Sequence, residues 1–158
     1  MPLNRDFVGR TAASTEPFEV TRGDIRRFAS AIGDASPACH DPAAARALGH
    51  PDLVAPPTFL VTMGFATAES LVMDPELGLD YSLVVHGEQR FELHRPVVAG
   101  DRLDAQARVD GIRDAGRNEL LSVVTEVRSG DERVATTTNV LVSRGSAAAR
   151  TARAGQEA

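Results

Sequence analysis

A long apolar segment in the middle of the chain, residues 54–73, constrains the fold more than any other feature of the sequence. Pro56 and Pro57 lie near its start, and proline is tolerated only at or before the first turn of a helix. A helix is therefore predicted to start near Thr58. Apolar side chains occupy almost every side of that helix, which is typical of a buried helix. It is too short and too interrupted to span a bilayer, which takes about 20 predominantly apolar residues.

The chain that follows this helix reads as strands. Four segments rich in alternating apolar residues, at 83–93, 102–112, 119–128 and 133–142, are separated by glycine-containing turn sequences. Consecutive strands joined by short turns predict an antiparallel meander with one face on the core. The predicted fold class is α+β, with a central buried helix wrapped by an antiparallel sheet of about five strands. The helix residues predicted to be buried against these strands are Phe59, Met63, Ala66 and Val72.

The sequence of the N-terminal third predicts shorter helices and strands. Residues 18–20 are typical of a short strand, and Thr21 with Asp24 is a capping signal for a helix. Gly33 is expected to end that helix. The elements predicted to follow are a polar loop over 34–40 and a short helix over 43–48.

Length, charge and cysteine content narrow the class of protein. A length of 158 residues predicts one domain, over residues 1–144. The tail over 145–158 has few apolar side chains to bury and is predicted to be disordered. A net charge of -5 with scattered arginines argues against a nucleic-acid partner. The sequence has no signal-peptide core and no transmembrane run, so a cytoplasmic protein with no membrane association is expected. The single Cys39 excludes an internal disulfide and a multi-cysteine zinc site.

Several short motifs carry a resemblance to a known family. They are AIGDASP at 31–37, HDP at 40–42, VAPPTF at 54–59, GLDY at 78–81, VHGEQ at 85–89, RPV at 95–97 and AGD at 99–101. In this order they resemble the MaoC-like dehydratases, in particular the single-hotdog proteins that serve as the A subunit of (R)-3-hydroxyacyl-ACP dehydratase. The resemblance implies a single hotdog fold and an acyl-ACP or acyl-CoA substrate.

The chemistry of that family needs few groups. Reversible dehydration of a 3-hydroxyacyl thioester requires a base, an acid or water-activating group, and hydrogen-bond donors on the thioester oxygen. A carboxylate and an imidazole that face one cavity can supply the first two, so neither a cofactor nor a metal is expected. In the catalytic members, a Gly-Asp-x-Asn-Pro-x-His pattern carries this pair, and a glycine N–H at the start of the central helix is the donor.

This chain departs from that pattern at several positions. Asp34 matches the family aspartate, but Cys39 stands at the histidine position and the imidazole is displaced by one residue to His40. Ser36 stands where asparagine is usual. Pro57 occupies the place of the glycine, and proline has no N–H to donate. These departures are what we expect of a subunit that shapes the acyl tunnel while a partner supplies the catalytic pair.

The candidate site residues fall into two sets. The candidate catalytic residues are Asp34 and His40, and the candidate substrate-binding residues are Cys39, Pro57, Thr58, Gly64 and His86. Structural roles are open for several of them. Asp34 fits a turn or cap and His40 a solvated loop residue, whereas Cys39 fits a small buried hydrophobe. His86 fits a hydrogen-bonded structural histidine on a strand.

The sequence leaves four functions open. The leading hypothesis is a subunit of an (R)-specific 3-hydroxyacyl thioester dehydratase or enoyl hydratase, in a heterodimer with a catalytic hotdog chain. The others are a self-sufficient homodimeric hydratase that uses Asp34 and His40, a hotdog thioesterase, and a non-catalytic acyl-binding module. A dimer is also expected because a strand at the edge of the sheet exposes backbone groups that a second chain can pair.

Overall fold

The computed structural model describes residues 1–147. The α-helices are α1 (Arg22–Ile32), α2 (Pro37–His40), α3 (Pro42–Ala47) and α4 (Val61–Val72). The strands are β1 (Thr11–Ala13), β2 (Phe18–Glu19), β3 (Val84–Leu93), β4 (Arg102–Ala115), β5 (Asn118–Ser129) and β6 (Glu132–Ser143). Short 3₁₀ turns lie at Arg5–Phe7, Pro75–Leu77 and Tyr81–Leu83.

The strands form one antiparallel sheet in the order β1-β4-β5-β6-β3, with β2 paired to β4 as well. β4, β5 and β6 make the predicted meander. β3 instead crosses over to pair with β6, so that Arg90 lies opposite Thr138, and the prediction that all four long strands form one meander is wrong. The connection over 94–101 explains this: it pairs with the segment before α4, through Val54 and Val98, and does not close a hairpin.

The central helix α4 packs on the sheet through β4, β5 and β6. Phe59, Met63 and Val72 are buried as predicted. The prediction that Ala66 is buried is wrong for the chain by itself, because Ala66 lies on an exposed face of α4 together with Phe65. One sheet covers only one side of a helix, so an all-round apolar helix keeps a stripe that its own sheet cannot bury. The sheet wrapped around a central helix nevertheless confirms the predicted hotdog architecture.

The core divides into two clusters along α4. One contains Leu53 and Phe59 at the start of the helix, and the other contains Leu71 and Leu77 at its end. The N-terminal segment closes the second cluster with the fully buried Phe7. Complete burial of such a side chain stabilises a fold by roughly 1.5–3 kcal/mol.

The local signals of the N-terminal third are confirmed for α1. Thr21 and Asp24 form the predicted capping box, and Gly33 ends the helix in the left-handed conformation, with φ 75. The predicted polar loop over 34–40 contains the single-turn helix α2, and β1 was not predicted.

The end of the chain is described in part. Of the predicted disordered tail, the structure describes Gly145, Ser146 and Ala147, and the last two are buried. Gly145 N–H donates to the side-chain oxygen of Asn118 at 3.0 Å. The rest of that prediction, over 148–158, lies outside the described residues. No helix in residues 1–147 combines the length and the apolar character needed to cross a membrane.

Candidate functional site

The loop after α1 holds the candidate carboxylate of Asp34. Its backbone N–H donates to the carbonyl of Ala29 at 2.8 Å, which ties the loop to the end of the helix. Its Oδ1 accepts from the N–H of Ser36 at 2.9 Å, and its Oδ2 lies 3.9 Å from the Cys39 sulfur. The first contact is an Asx-type turn, in which a short acidic side chain bonds the backbone two residues on. One oxygen of the carboxylate is therefore engaged by its own loop.

The candidate imidazole of His40 points to the backbone of that loop. Its Nε2 lies 2.8 Å from the carbonyl oxygen of Asp34, and because a carbonyl can only accept, Nε2 donates the proton in this contact. Successive residues of an α-helix point about 100° apart, so moving the imidazole from position 39 to 40 within α2 changes its direction. The imidazole contacts the main chain of Asp34, whereas the thiol of Cys39 faces the carboxylate.

Cys39 faces the second oxygen of the Asp34 carboxylate and is only 4% exposed. Burial, and then the negative charge of Asp34, raise the pKa of its thiol above the ordinary value. A thiolate is the nucleophilic form of cysteine, so the thiol at this position is protonated and unreactive at neutral pH. Its environment is that of a small buried side chain.

A cavity of about 420 Å³ opens beside this loop, and we call it the Asp34 cavity. Its wall comes from the 34–39 loop, from the segment before α4 and from the end of β3, and includes Asp34, Ser36, Cys39, Pro57, His94 and Arg95. The Arg95 guanidinium donates to both carboxylate oxygens of Asp101, at 2.7 and 3.0 Å, and to Glu132 at 2.9 Å. The hydrogen bonds with Asp101 raise the pKa of Arg95. This cation is therefore neutralised within the fold.

A second cavity, of about 430 Å³, runs along the exposed face of α4, and we call it the α4 groove. Its wall is Ala13, Ser14, Thr15, Glu16 and Phe18 on one side and Thr62, Met63, Ala66, Thr67, Glu69 and Ser70 on the other. The hydroxyls of Thr62 and Thr67 donate to the helix carbonyls of Phe59 and Met63, at 3.2 and 2.9 Å. Both hydroxyls are therefore bonded to the main chain, and the groove surface is predominantly apolar.

The sequence did not single out the residues of the α4 groove. The polar positions Thr62, Glu69 and Ser70 interrupt the apolar run at helical spacing, and this was the signal that one face of α4 is different. The strand segment that forms the opposite wall carries no such signal, because only the fold brings it beside the helix.

The other predicted binding residues lie apart from the first cavity. Thr58 is exposed, and a side chain at Gly64 would point at the sheet, with its Cβ 3.2 Å from Oγ1 of Thr137. His86 lies on β3, where its ring meets that of Phe65 edge-on at 5.4 Å between centroids. The structure thus brings Asp34, Cys39 and Pro57 to one cavity with His40 behind the loop, and leaves Thr58, Gly64 and His86 elsewhere. Among residues 1–147, no three His, Cys, Asp or Glu side chains are arranged to hold a metal.

Comparison with known proteins places this geometry in a family. The profile described as FAS1-like, dehydratase domain region, matches residues 6–137. A UPF0336 protein of Parafrankia sp. (strain EAN1pec) is 57% identical over 148 residues, which cover 93% of this chain and 98% of that protein. A UPF0336 protein of Streptomyces coelicolor is 48% identical, over 91% of this chain and 97% of that protein.

Two solved structures are similar in fold and in sequence. A MaoC-like dehydratase superposes with a TM-score of 0.82 at 32% identity, over 87% of this chain and 42% of that chain. This chain therefore spans less than half the length of that dehydratase. A chain of the C-terminally truncated HadBC (3R-hydroxyacyl-ACP dehydratase) complex from Mycobacterium tuberculosis superposes with a TM-score of 0.79 at 28% identity, over 89% of this chain and 99% of that chain.

The match over residues 6–137, the identity to the relatives and the shared hotdog fold agree with one another. The chain belongs to the FAS1-like dehydratase family, and its fold is that of the MaoC-like dehydratases.

Proposed function

We propose that this chain is a subunit of an (R)-specific 3-hydroxyacyl thioester dehydratase or enoyl hydratase, in which it binds the acyl chain while a partner hotdog chain supplies the catalytic Asp/His pair. The observation that carries this proposal is the orientation of His40, whose Nε2 bonds the Asp34 carbonyl and whose side chain is not part of the cavity wall. Family membership supplies the reaction class, and this orientation supplies the division of labour.

Acid–base catalysis requires geometry that this loop lacks. A general base acts within about 2.6–3.2 Å of the proton that it takes, directly or through one water. The Asp34 carboxylate accepts from Ser36 N–H and faces a protonated thiol, while the imidazole of His40 points to the main chain. Pro57, in the wall of the same cavity, cannot donate to a thioester oxygen. Two groups that the reaction needs are thus missing from one cavity.

The α4 groove supports the binding part of the proposal. Its volume of about 430 Å³ and its apolar surface fit a hydrocarbon chain, which is held by burial and needs few hydrogen bonds. The carboxylates of Glu16 and Glu69 in its wall disfavour a free fatty-acid anion, whose charge they would repel, relative to an uncharged thioester.

The edge strand β3 supports a dimer. Its only neighbour in the described sheet is β6, so a ten-residue strand leaves one row of backbone groups unpaired. Exposed apolar side chains accompany this edge: Phe65, Tyr81, Leu83, Val85 and Leu93. Pairing with the equivalent strand of a second hotdog chain would satisfy the backbone and cover these side chains. The similarity to a chain of the HadBC complex favours a heterodimer.

The test is an assay of the purified chain alone and together with a hotdog chain that carries the Gly-Asp-x-Asn-Pro-x-His pattern. The substrates are crotonyl and longer enoyl thioesters, and hydration is measured as the loss of enoyl absorbance. We expect no turnover by the chain alone and hydration by the co-purified complex. Turnover by the chain alone at the rate of the complex would overturn the proposal, and release of free thiol would indicate a thioesterase instead.

A further inference from the structure

A third cavity, of about 410 Å³, lies at the N-terminal end of β3 and belongs to neither site above. The turn between β4 and β5 and the chain that leaves β6 meet there, and the lining residues are Leu83, Arg117, Asn118, Arg144 and Gly145. We call it the arginine cavity. It combines two guanidinium groups and an amide from two parts of the chain that are distant in sequence.

The polar groups of the arginine cavity are held as donors. Arg144 donates from Nε to the carbonyl of Leu83 at 3.1 Å, which fixes the guanidinium at the cavity and leaves its terminal nitrogens for a ligand. The side-chain oxygen of Asn118 accepts from Gly145 N–H at 3.0 Å, so the NH₂ group of Asn118 is left to donate to a ligand. Arg117 follows Gly116 at the tip of the turn, where its side chain is exposed.

No acidic residue belongs to the cavity wall. Within residues 1–147, neither Arg117 nor Arg144 forms an ion pair, whereas Arg5, near the same turn, is paired with Asp114 at 3.0 Å. Two cations without a carboxylate, in a chain of net charge -5, select an anionic ligand. The planar fork of a guanidinium matches the oxygens of phosphate in particular.

The pairing of β3 proposed above determines what lies beside this cavity. A two-fold contact between edge strands is antiparallel, so pairing of all ten residues would put Val84 opposite the last residue of the partner's equivalent strand. Neighbouring strands lie about 4.7–4.9 Å apart. Leu83, in the arginine cavity, therefore comes next to the end of the partner's β3, which in this chain forms part of the Asp34 cavity wall. In a dimer paired in this way, the arginine cavity of one subunit would border the catalytic loop of the other.

We propose that Arg117 and Arg144 bind the phosphate of the phosphopantetheine arm, which acyl-ACP and acyl-CoA share, and so hold the thioester carrier at the partner's catalytic site. The identity of this phosphate rests on the proposed function, but the binding of a phosphate by the arginine cavity does not. In this arrangement the chain contributes to catalysis across the interface, through carrier binding as well as through the α4 groove.

The test compares binding of 4′-phosphopantetheine and of pantetheine, which lacks the phosphate, to the purified complex by calorimetry. We expect the phosphorylated form to bind at least about 10-fold more tightly, as two charge-assisted contacts allow. The double variant Arg117→Ala/Arg144→Ala should abolish that difference. Arg113→Ala removes one positive charge near Arg117 but outside the cavity and should preserve it. Equal binding of the two compounds, or a difference that survives the double variant, would overturn the inference.

Further experiments distinguish carrier protein from coenzyme A, and the arginine cavity from the proposed function. Displacement of phosphopantetheine by holo carrier protein or by coenzyme A identifies which one the complex prefers. For turnover, the double variant should raise KM for phosphate-bearing enoyl thioesters about 10-fold and leave an enoyl N-acetylcysteamine thioester unchanged. Phosphate-dependent binding without turnover by the wild-type complex would refute the proposed function and keep the arginine cavity. Turnover with equal effects on all thioesters would refute the arginine cavity alone.

Discussion

The Asp34 cavity and the α4 groove are almost equal in volume, about 420 and 430 Å³, but they are built in opposite ways. The first is surrounded by groups that carry chemistry, and its main charged groups are bonded inside the fold: Asp34 to Ser36 and Arg95 to Asp101. His40, behind the same loop, is bonded to the main chain. The second is surrounded by side chains that offer mostly methyl and methylene groups.

This difference indicates that the geometry of a catalytic loop and the volume of a binding groove depend on different residues and can change independently. A shift of the imidazole by one residue in α2 is enough to turn it away from the cavity, because direction in a helix changes by about 100° per residue. An apolar groove tolerates changes of residue as long as its volume persists. Under the proposed function, this chain would keep an acyl site in a fold whose loop is no longer a catalytic centre.

The largest effect is expected from filling the groove with Ala66→Trp. The indole would occupy the space of the acyl chain, so kcat/KM of the complex should fall at least about 10-fold for long enoyl thioesters and change little for crotonyl thioesters. Ala47→Trp, on the exposed surface of α3, is the matched control. An equal loss for short and long substrates would mean that the groove is not where the chain lies.

A smaller effect is expected at Cys39 when the neighbouring charge is removed. The Asp34 carboxylate helps to raise the pKa of the thiol, so Asp34→Asn should lower that pKa toward the ordinary value of 9.0. Burial is the larger cause and remains, so we expect only a few-fold faster alkylation by iodoacetamide at pH 8. Asp110→Asn, an exposed carboxylate on β4, should leave the rate unchanged. A rate that does not respond to Asp34→Asn would show that the carboxylate and the thiol do not face each other.

The ion pair between Asp52 and Arg22, just before the segment of the chain that enters the Asp34 cavity wall, is sensitive to acid. Asp52, just before the segment that leads into α4, accepts from Arg22 at 2.7 and 2.8 Å and from Leu53 N–H, and the hydrogen bond with Arg22 is the main cause that lowers its pKa from 3.8 to about 2. A lowered folded-state pKa means that the stabilisation is fully present above the unfolded value and is lost as the pH falls through the folded value.

Between pH 7 and pH 4 we therefore expect the melting temperature of the wild type to exceed that of Asp52→Asn by a constant margin. Calorimetry measures both temperatures. The margin should shrink from about pH 4 and vanish below about pH 2, in the window that the pKa of Asp52 defines. A margin that stays constant to the lowest pH would show that the Arg22 contact does not persist in solution.

The smallest effect is expected from the residues that look most catalytic. In the complex, Asp34→Asn and His40→Ala should each reduce turnover by less than about 3-fold, whereas removal of a general acid or base costs about 100-fold or more. The same pair of substitutions in the partner's Asp/His motif is the positive control. Losses on the order of 100-fold in this chain would place the chemistry here and remove the contrast between the two cavities.

Local signals in the sequence determined much of the N-terminal third and the limits of the strands. The capping box of Thr21 and Asp24, and the left-handed Gly33, predicted α1 because each depends on a few neighbouring residues. Glycine turns likewise predicted where β4, β5 and β6 begin and end. The sequence also placed Asp34 and Cys39 in one short loop, and the structure adds that their side chains face each other at 3.9 Å.

Long-range contacts decided the rest. The pairing of β3 with β6, the exposure of Ala66 and the arginine cavity all depend on segments that are far apart in sequence, such as residue 83 and residue 117. The direction of the His40 ring was decided by a hydrogen bond to a carbonyl, and the sequence shows residue types but not where main-chain acceptors lie. Sequence patterns report interactions within a turn or a strand, whereas register between strands and the outline of a cavity are set by the packing of the whole chain.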